Sequence, residues 1–227
     1  MTRRTGGTVV YTNPWMRLLQ DTIVHASGVP GLYAYVDKPD FALIVPRSAT
    51  GFWLVEEFRY PVGGRRWSFP QGSWPEGGSG DATALARAEL AEETGLSAGR
   101  LHPLGRLEIA PGMSNQGMHV FVAEELVPGT PHREATESDM VHRHFTVDEF
   151  RALVAAGGLV DAASLAALAL YQNWRAASGT YGGGTYGGAA YGGGANGSAT
   201  DSSGPLGSLT DSNDTSGRAA GNGGTDA

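Results

Sequence analysis

Apolar residues fall into short runs separated by Gly, Pro, Asn and Asp. Val9 to Ile23 reads as two extended pieces broken at Asn13-Pro14, because Pro14 lacks an amide donor and pushes Asn13 towards extended geometry. Gly28, Pro30 and Gly31 make a turn, Leu32 to Val36 a short strand, and Lys38-Pro39-Asp40 another turn. Phe41 to Val45 and Phe52 to Tyr60 are apolar, aromatic-rich strands, with Pro46 to Gly51 between them as a hairpin loop. Trp67 to Phe69 is a short strand leading into Pro70-Gln71-Gly72. Leu101 to Ile109, Met118 to Ala123 and Met140 to Phe145 follow as strands. The pattern changes to a helical period over Val147 to Ala156 and Asp161 to Trp174, where Asp161 is placed to cap and Leu165, Leu168 and Ala169 give an apolar face. Strand groups, one central helix and terminal helices predict an α/β sandwich around a mixed sheet.

The central helix carries the chemistry. Asp81 or Thr83 is placed to cap its start, and Gly95 sits where a left-handed C-terminal cap is expected, so the helix spans about Asp81 to Thr94. At roughly 100° per residue, Glu92 lies about 60° to one side of Glu89 and Glu93 about 40° to the other. Three carboxylates on one face repel one another. A divalent cation removes that cost, and oxygen-only ligands suit Mg²⁺ or Mn²⁺. A solvated acidic face is the competing account.

The order of residues separates the two. Glu89-Leu90-Ala91-Glu92-Glu93-Thr94-Gly95-Leu96, opened by Gly72, resembles the Nudix box. The resemblance implies an α/β/α sandwich with a mixed sheet. It also implies a loop–helix–loop in which Glu89, Glu92 and Glu93 hold the metal and the Gly72 loop approaches the phosphates, with Gly72 also counted in the metal site. Two positions depart from the pattern. Ala88 stands where the family has Arg, and Arg87, one residue early, is turned about 100° around the helix. Gly78 stands where the family's loop carries Glu, in a loop two residues longer than usual, which leaves Glu76 as a substitute.

Beyond the box, Glu57-Phe58-Arg59-Tyr60, Trp67-Ser68-Phe69-Pro70-Gln71-Gly72 and Pro111-Gly112-Met113-Ser114 resemble segments of the ADP-ribose pyrophosphatase and nucleoside diphosphate sugar hydrolase branch. Pro111 lies fifteen residues past Leu96, where that branch has its marker proline. The implied substrate contacts are Arg59, Trp67, Gly72, Pro111 and Ser114. Arg59 is a planar donor fork suited to phosphate, and Tyr60 and Trp67 offer flat faces for a base or ribose. Against this, Arg59 has Glu56 or Glu57 to pair with, and the aromatics fit a sheet core. Ser68 and Gln116 stand where the branch has Glu, which bears on adenine and ribose readout.

Hydrolysis needs a base near the metal. The family often places a Glu on the loop before the last strand, here HREATESDM, so Glu137 is the expected base, acting with Glu93, and Glu134 and Asp139 are the alternatives. His142 and His144 share one strand face at a spacing that suits zinc but have no third ligand nearby.

Composition sets the remaining bounds. The net charge is −7, without a basic patch interleaved with aromatics, so a nucleic-acid partner is not expected. There is no cysteine, which excludes disulfides and thiol nucleophiles. No run has signal-peptide or membrane-spanning length, so a cytoplasmic location is expected. After about Ala177 the chain becomes rich in Gly, Ser, Thr and Asp, with Tyr-Gly-Gly units at Tyr181, Tyr186 and Tyr191. Such a tail buries too little apolar surface to offset its ordering entropy, and disorder is expected. The resulting division is a Nudix domain over 1–177, comprising N-terminal strands over 8–36 and a core over 37–177, followed by a tail over 178–227. The expected activity is metal-dependent cleavage of the pyrophosphate in ADP-ribose or another nucleoside diphosphate derivative, giving NMP plus a sugar phosphate. The alternative is a low-turnover nucleotide-binding or sensing module. The branch resemblance further implies a homodimer paired through the N-terminal strands.

Overall fold

In the computed structural model, residues 1–74 and 80–180 are described. The expectations for Glu76, Gly78 and the Tyr-Gly-Gly units lie outside these residues. The described chain begins with a three-stranded antiparallel sheet, ordered β1 (Arg3–Asn13), β2 (Met16–Val24), β3 (Pro30–Asp37). The predicted break at Asn13-Pro14 is its first hairpin: Asn13 Oδ1 accepts from the backbone N–H of Trp15 at 2.9 Å and of Met16 at 2.8 Å, an Asx turn in place of further pairing.

β4 (Phe41–Pro46) is buried at every position. It lies in a four-stranded sheet ordered β7 (Gln71–Ser73), β4, β9 (Gly117–Val127), β8 (Ser97–Glu108). β4 and β9 are parallel and the other pairs antiparallel, so the sheet is mixed as predicted. Burial on both faces explains why β4 is an unbroken apolar run rather than an alternation. Ala42 and Ile44 face α1 (Ala82–Thr94), where Leu85, Ala86, Leu90 and Phe121 complete one core cluster. Phe41, Leu43 and Val45 face the other way, into a cluster with Phe52, Leu54, Phe69, Phe145, Phe150 and Tyr171.

That second cluster is closed by a three-stranded antiparallel sheet, β10 (Val141–Thr146), β5 (Gly51–Arg59), β6 (Gly64–Ser68), and by α2 (Val147–Ala155) and α3 (Ala162–Thr180). The expected hairpin between β4 and β5 is corrected here. One isolated bridge, Arg47 to Phe52, closes the turn, and the two strands then enter different sheets. The physical reason is that Phe52 and Leu54 fill the space between the sheets, which pairing alongside β4 would not allow. α3 also runs past Trp174, and β1 starts earlier than Val9. Among the described residues, no helix is long and apolar enough to cross a membrane.

Candidate functional site: an acidic cluster between the box helix and a loop

Asp81 caps α1 by accepting from the backbone N–H of Thr83 at 3.1 Å, and Gly95 ends it at φ 72°, a conformation that favours glycine. The helix therefore starts and stops where the sequence predicts. Leu85, Ala86 and Leu90 bury its sheet-facing side, which leaves Glu89 and Glu93 at the edge of the packed face. Glu93 is 2% exposed, with Oε2 accepting from the backbone N–H of Gln71 at 3.2 Å. Gly72 follows, so close to Glu89 that a β-carbon there would stand 2.3 Å from its Oε2.

Across from the helix lies the segment from Pro131 to Met140. The backbone N–H of His132 donates to the Glu92 carbonyl at 3.0 Å, and Glu137 sits in a short 3₁₀ turn, Ala135–Glu137. Among the described residues, Glu137 Oε2 is buried without a hydrogen-bond partner. The carboxylates are close enough to raise one another's pKa. Burial, then the charges of Glu92, Glu137 and Glu134, pushes the Glu89 carboxyl up to about 8. Glu93 is held well above the usual carboxylate range by burial, then Glu89, Glu137 and Glu57. Glu137 is raised by burial, then Glu92, Glu57 and Glu134, and Glu92 by burial, then Glu134.

Gly72, Glu89, Glu92, Glu93 and Glu137 thus lie in one acidic cluster, with Gly72 against Glu89. Among the described residues, no Lys, Arg or His forms an ion pair with Glu89, Glu92, Glu93 or Glu137. No three acidic or histidine groups among them already stand at the spacing of a metal centre. The chemistry nevertheless fits a hard cation. The donors are oxygens, one carboxylate is fully buried, and the buried Glu137 oxygen has no partner among the described residues.

The other predicted residues separate. Arg59 pairs with Glu57 at 2.7 Å, at the margin of the acidic cluster, because Glu57 acts on both Glu93 and Glu137. Trp67 packs its ring edge-on against Phe145 at 4.9 Å and is partly buried on the core, whereas Tyr60 is 87% exposed. Pro111 and Ser114 lie in a loop docked on the N-terminal sheet: Val36 N–H donates to Met113 O at 2.8 Å and Tyr33 Oη to Gly112 O at 2.8 Å. That loop leads into β9, whose Met118 pairs with Phe41, itself opposite Ser73, so it emerges at the same end of the sheet as the Gly72 strand. Asp139 is bound to Arg65, whose Nη1 reaches Oδ2 at 2.7 Å. His142 accepts from Arg133 and His144 bonds Ser48 Oγ at 2.9 Å, so the two imidazoles have separate partners. Arg87 donates to Ala98 O at 2.7 Å, turned from the acids as predicted.

Glu57 is the residue sequence reasoning left outside the site. It lies two residues after the buried Val55 on the same side of β5, but Leu54 and Val55 are both buried, so no alternation in the sequence marks that side as inward.

The comparisons agree with this geometry. The family profile described as NUDIX domain matches residues 37–167. An ADP-ribose pyrophosphatase of Mycobacterium tuberculosis (strain ATCC 25618 / H37Rv) is 32% identical over 114 residues, covering 50% of this chain and 55% of that protein. An ADP-ribose pyrophosphatase of Bacillus subtilis (strain 168) is 32% identical over 120 residues, covering 52% of this chain and 64% of that protein. The chain thus spans less than two thirds of the length of either relative. A crystal structure of an ADP compounds hydrolase superposes with a TM-score of 0.68 at 21% identity, over 79% of this chain and 97% of that one, a likeness of fold. The box residues, their helix–loop setting and a profile match over more than half of the sequence lead to one assignment: the chain belongs to the Nudix family.

Proposed function

We propose that the protein is a Mg²⁺- or Mn²⁺-dependent hydrolase that cleaves the pyrophosphate of a nucleoside diphosphate derivative, such as ADP-ribose or another nucleotide sugar. The observation that carries this reading is the acid set on α1, with Glu93 buried and, among the described residues, no ion-pair partner, beside the buried Glu137 oxygen. Glu89, Glu92 and Glu93 would hold the cation, which when bound stabilises charge on phosphoryl oxygens and acidifies water. The Gln71 N–H holds Glu93 in place, and Gly72, lacking a side chain, lets the backbone approach both Glu89 and a phosphate. Glu137 takes the proton of the attacking water. The new P–O bond forms as the anhydride P–O bond breaks, leaving NMP and a sugar phosphate. Arg59 would leave or share Glu57 to meet the substrate's phosphate.

Turnover across a panel of nucleoside diphosphate derivatives, read by phosphate release with and without added phosphatase, tests this. Phosphate that appears only with phosphatase, in Mg²⁺ or Mn²⁺, is the expected result. Silence across the panel with tight ligand binding would instead favour a low-turnover binding module, a reading that the absence of an arginine at Ala88 supports. The protein would act as a homodimer in the cytoplasm, on a small-molecule substrate and without nucleic acid or membrane. Support for pairing comes from the N-terminal sheet, where Val9, Val10, Tyr11, Leu32 and Tyr33 are exposed.

A further inference from the structure

Arg133 makes three contacts that join separate parts of the site. Nε donates to Glu93 O at 3.0 Å, at the end of α1. Nη1 donates to Met140 O at 2.6 Å, and Nη2 donates to His142 Nδ1 at 2.6 Å, both where the following strand begins. One guanidinium therefore closes the neck of the loop 134–139 and fastens it to the helix that carries the acids. Backbone contacts reinforce the junction: His132 N–H bonds Glu92 O, and a β-carbon at Gly95 would stand 2.7 Å from both Gly129 O and Pro131 N. Arg133 binds the carbonyl of Glu93, not its carboxylate, so it steers geometry and leaves the acids available.

The helix itself supplies no such group. Ala88 has no reach, and Arg87 is spent on Ala98 O. A planar fork with fixed N–H directions can meet two carbonyls and an imidazole nitrogen together, which an ammonium cannot.

We propose that Arg133 is a positioning residue that clasps the loop 134–139 to the end of α1 and so sets Glu137 opposite Glu89 and Glu93. The proposal rests on the hydrolase reading for its kinetic consequence, whereas the clasp itself is tested without turnover. In Arg133→Lys, and more strongly in Arg133→Ala, amide exchange over residues 134–140 should accelerate while the amides of α1 up to Ala91 keep their protection. With a substrate that turns over, kcat should fall about 10²-fold in Arg133→Ala, the usual cost of a displacement of about 1 Å at a catalytic group. KM and Mn²⁺ affinity should stay within about threefold, because the substrate and metal contacts lie elsewhere. Unchanged loop exchange, or an unchanged kcat in a folded variant, would overturn the proposal. So would a parallel loss of Mn²⁺ binding, which would make Arg133 a support for the helix alone. If Arg133→Ala does not fold, Arg133→Lys decides. If the unaltered protein hydrolyses nothing, the hydrolase reading fails while the exchange measurement still decides the clasp.

Discussion

The carboxylate of Glu89 lies against the α-carbon of Gly72, where a β-carbon would stand 2.3 Å from Oε2 and 2.4 Å from Cδ. Gly72 has no positive φ, so its role is close approach rather than an unusual backbone. In Gly72→Ala the clash would be with the far end of a flexible side chain, which can swing aside. The expected stability loss is therefore small, at the low end of the roughly 1–3 kcal/mol typical of overpacking. Activity should fall much further, by about 10²-fold, because the carboxylate that swings aside is a proposed metal ligand. Thermal melting and metal-dependent turnover of the same sample separate the two effects. A variant as active as the parent would remove Gly72 from the site.

The acid cluster reverses the usual pH dependence of carboxylates. The Glu89 pKa is raised from 4.5 to about 8 in the folded chain, and Glu93, Glu92 and Glu137 are also raised. Between the unfolded and folded values the folded state binds more protons, so stability falls as pH rises. His142 works the other way. Burial, then the charge of Arg133, depresses its pKa, so its contribution is lost as pH falls below about 6.5. Asp40 and Glu149 are depressed carboxylates whose contribution is already complete above about pH 4.5. The melting temperature without added metal should therefore drop between about pH 7 and about pH 8.5. Mg²⁺ or Mn²⁺ should raise it more at the upper pH, because the cation binds deprotonated ligands. A melting temperature that rises over this range without metal would contradict the uncompensated cluster.

Local features were legible and long-range ones were not. Asp81, the apolar period and Gly95 mark α1 because caps and periodicity are encoded within a few residues. The box spacing placed Glu89, Glu92 and Glu93 on one face for the same reason. The separation of β4 and β5 into two sheets depends on what Phe52 and Leu54 pack against, which lies far along the chain. Arg133 is 40 residues from Glu93, and Arg65, the partner of Asp139, is 74 residues from it. No short window contains such pairs. Trp67 looked like a stacking platform by residue type, and its burial against Phe145 follows only from the assembled sheet.

Glu137 and Asp139 are two residues apart and have different surroundings. Among the described residues, the buried Glu137 Oε2 has no partner, whereas Asp139 is held by Arg65 through both its carboxylate and its carbonyl, at 2.7 and 2.9 Å. Glu137→Gln should lower kcat by about 10²-fold or more, as loss of a general base does. It should leave stability unchanged or slightly higher, since it removes an uncompensated buried charge. Asp139→Asn should keep kcat within about threefold and cost at most about 1 kcal/mol, as a mostly exposed ion pair does. Equal losses of kcat in both variants would move the base assignment away from Glu137 to the loop as a whole.

The N-terminal sheet exposes Val9, Val10, Tyr11, Leu32 and Tyr33. Val9 is 54% exposed and Tyr33 43%, and the strand registers place both on the face that also holds Leu19 and Asp21. Exposed apolar side chains grouped on one sheet are a feature of association surfaces, and a second copy of the same sheet is the partner the family resemblance implies. Sedimentation at micromolar concentration should then give a dimer. Val9→Glu should shift it to monomer, because a carboxylate buried without a partner in a self-associating face is costly. Val160 is equally exposed at 54% but lies in the turn between α2 and α3, so Val160→Glu should leave the dimer intact. A monomeric parent would end the pairing proposal. A dimer indifferent to Val9→Glu would place the interface on another surface.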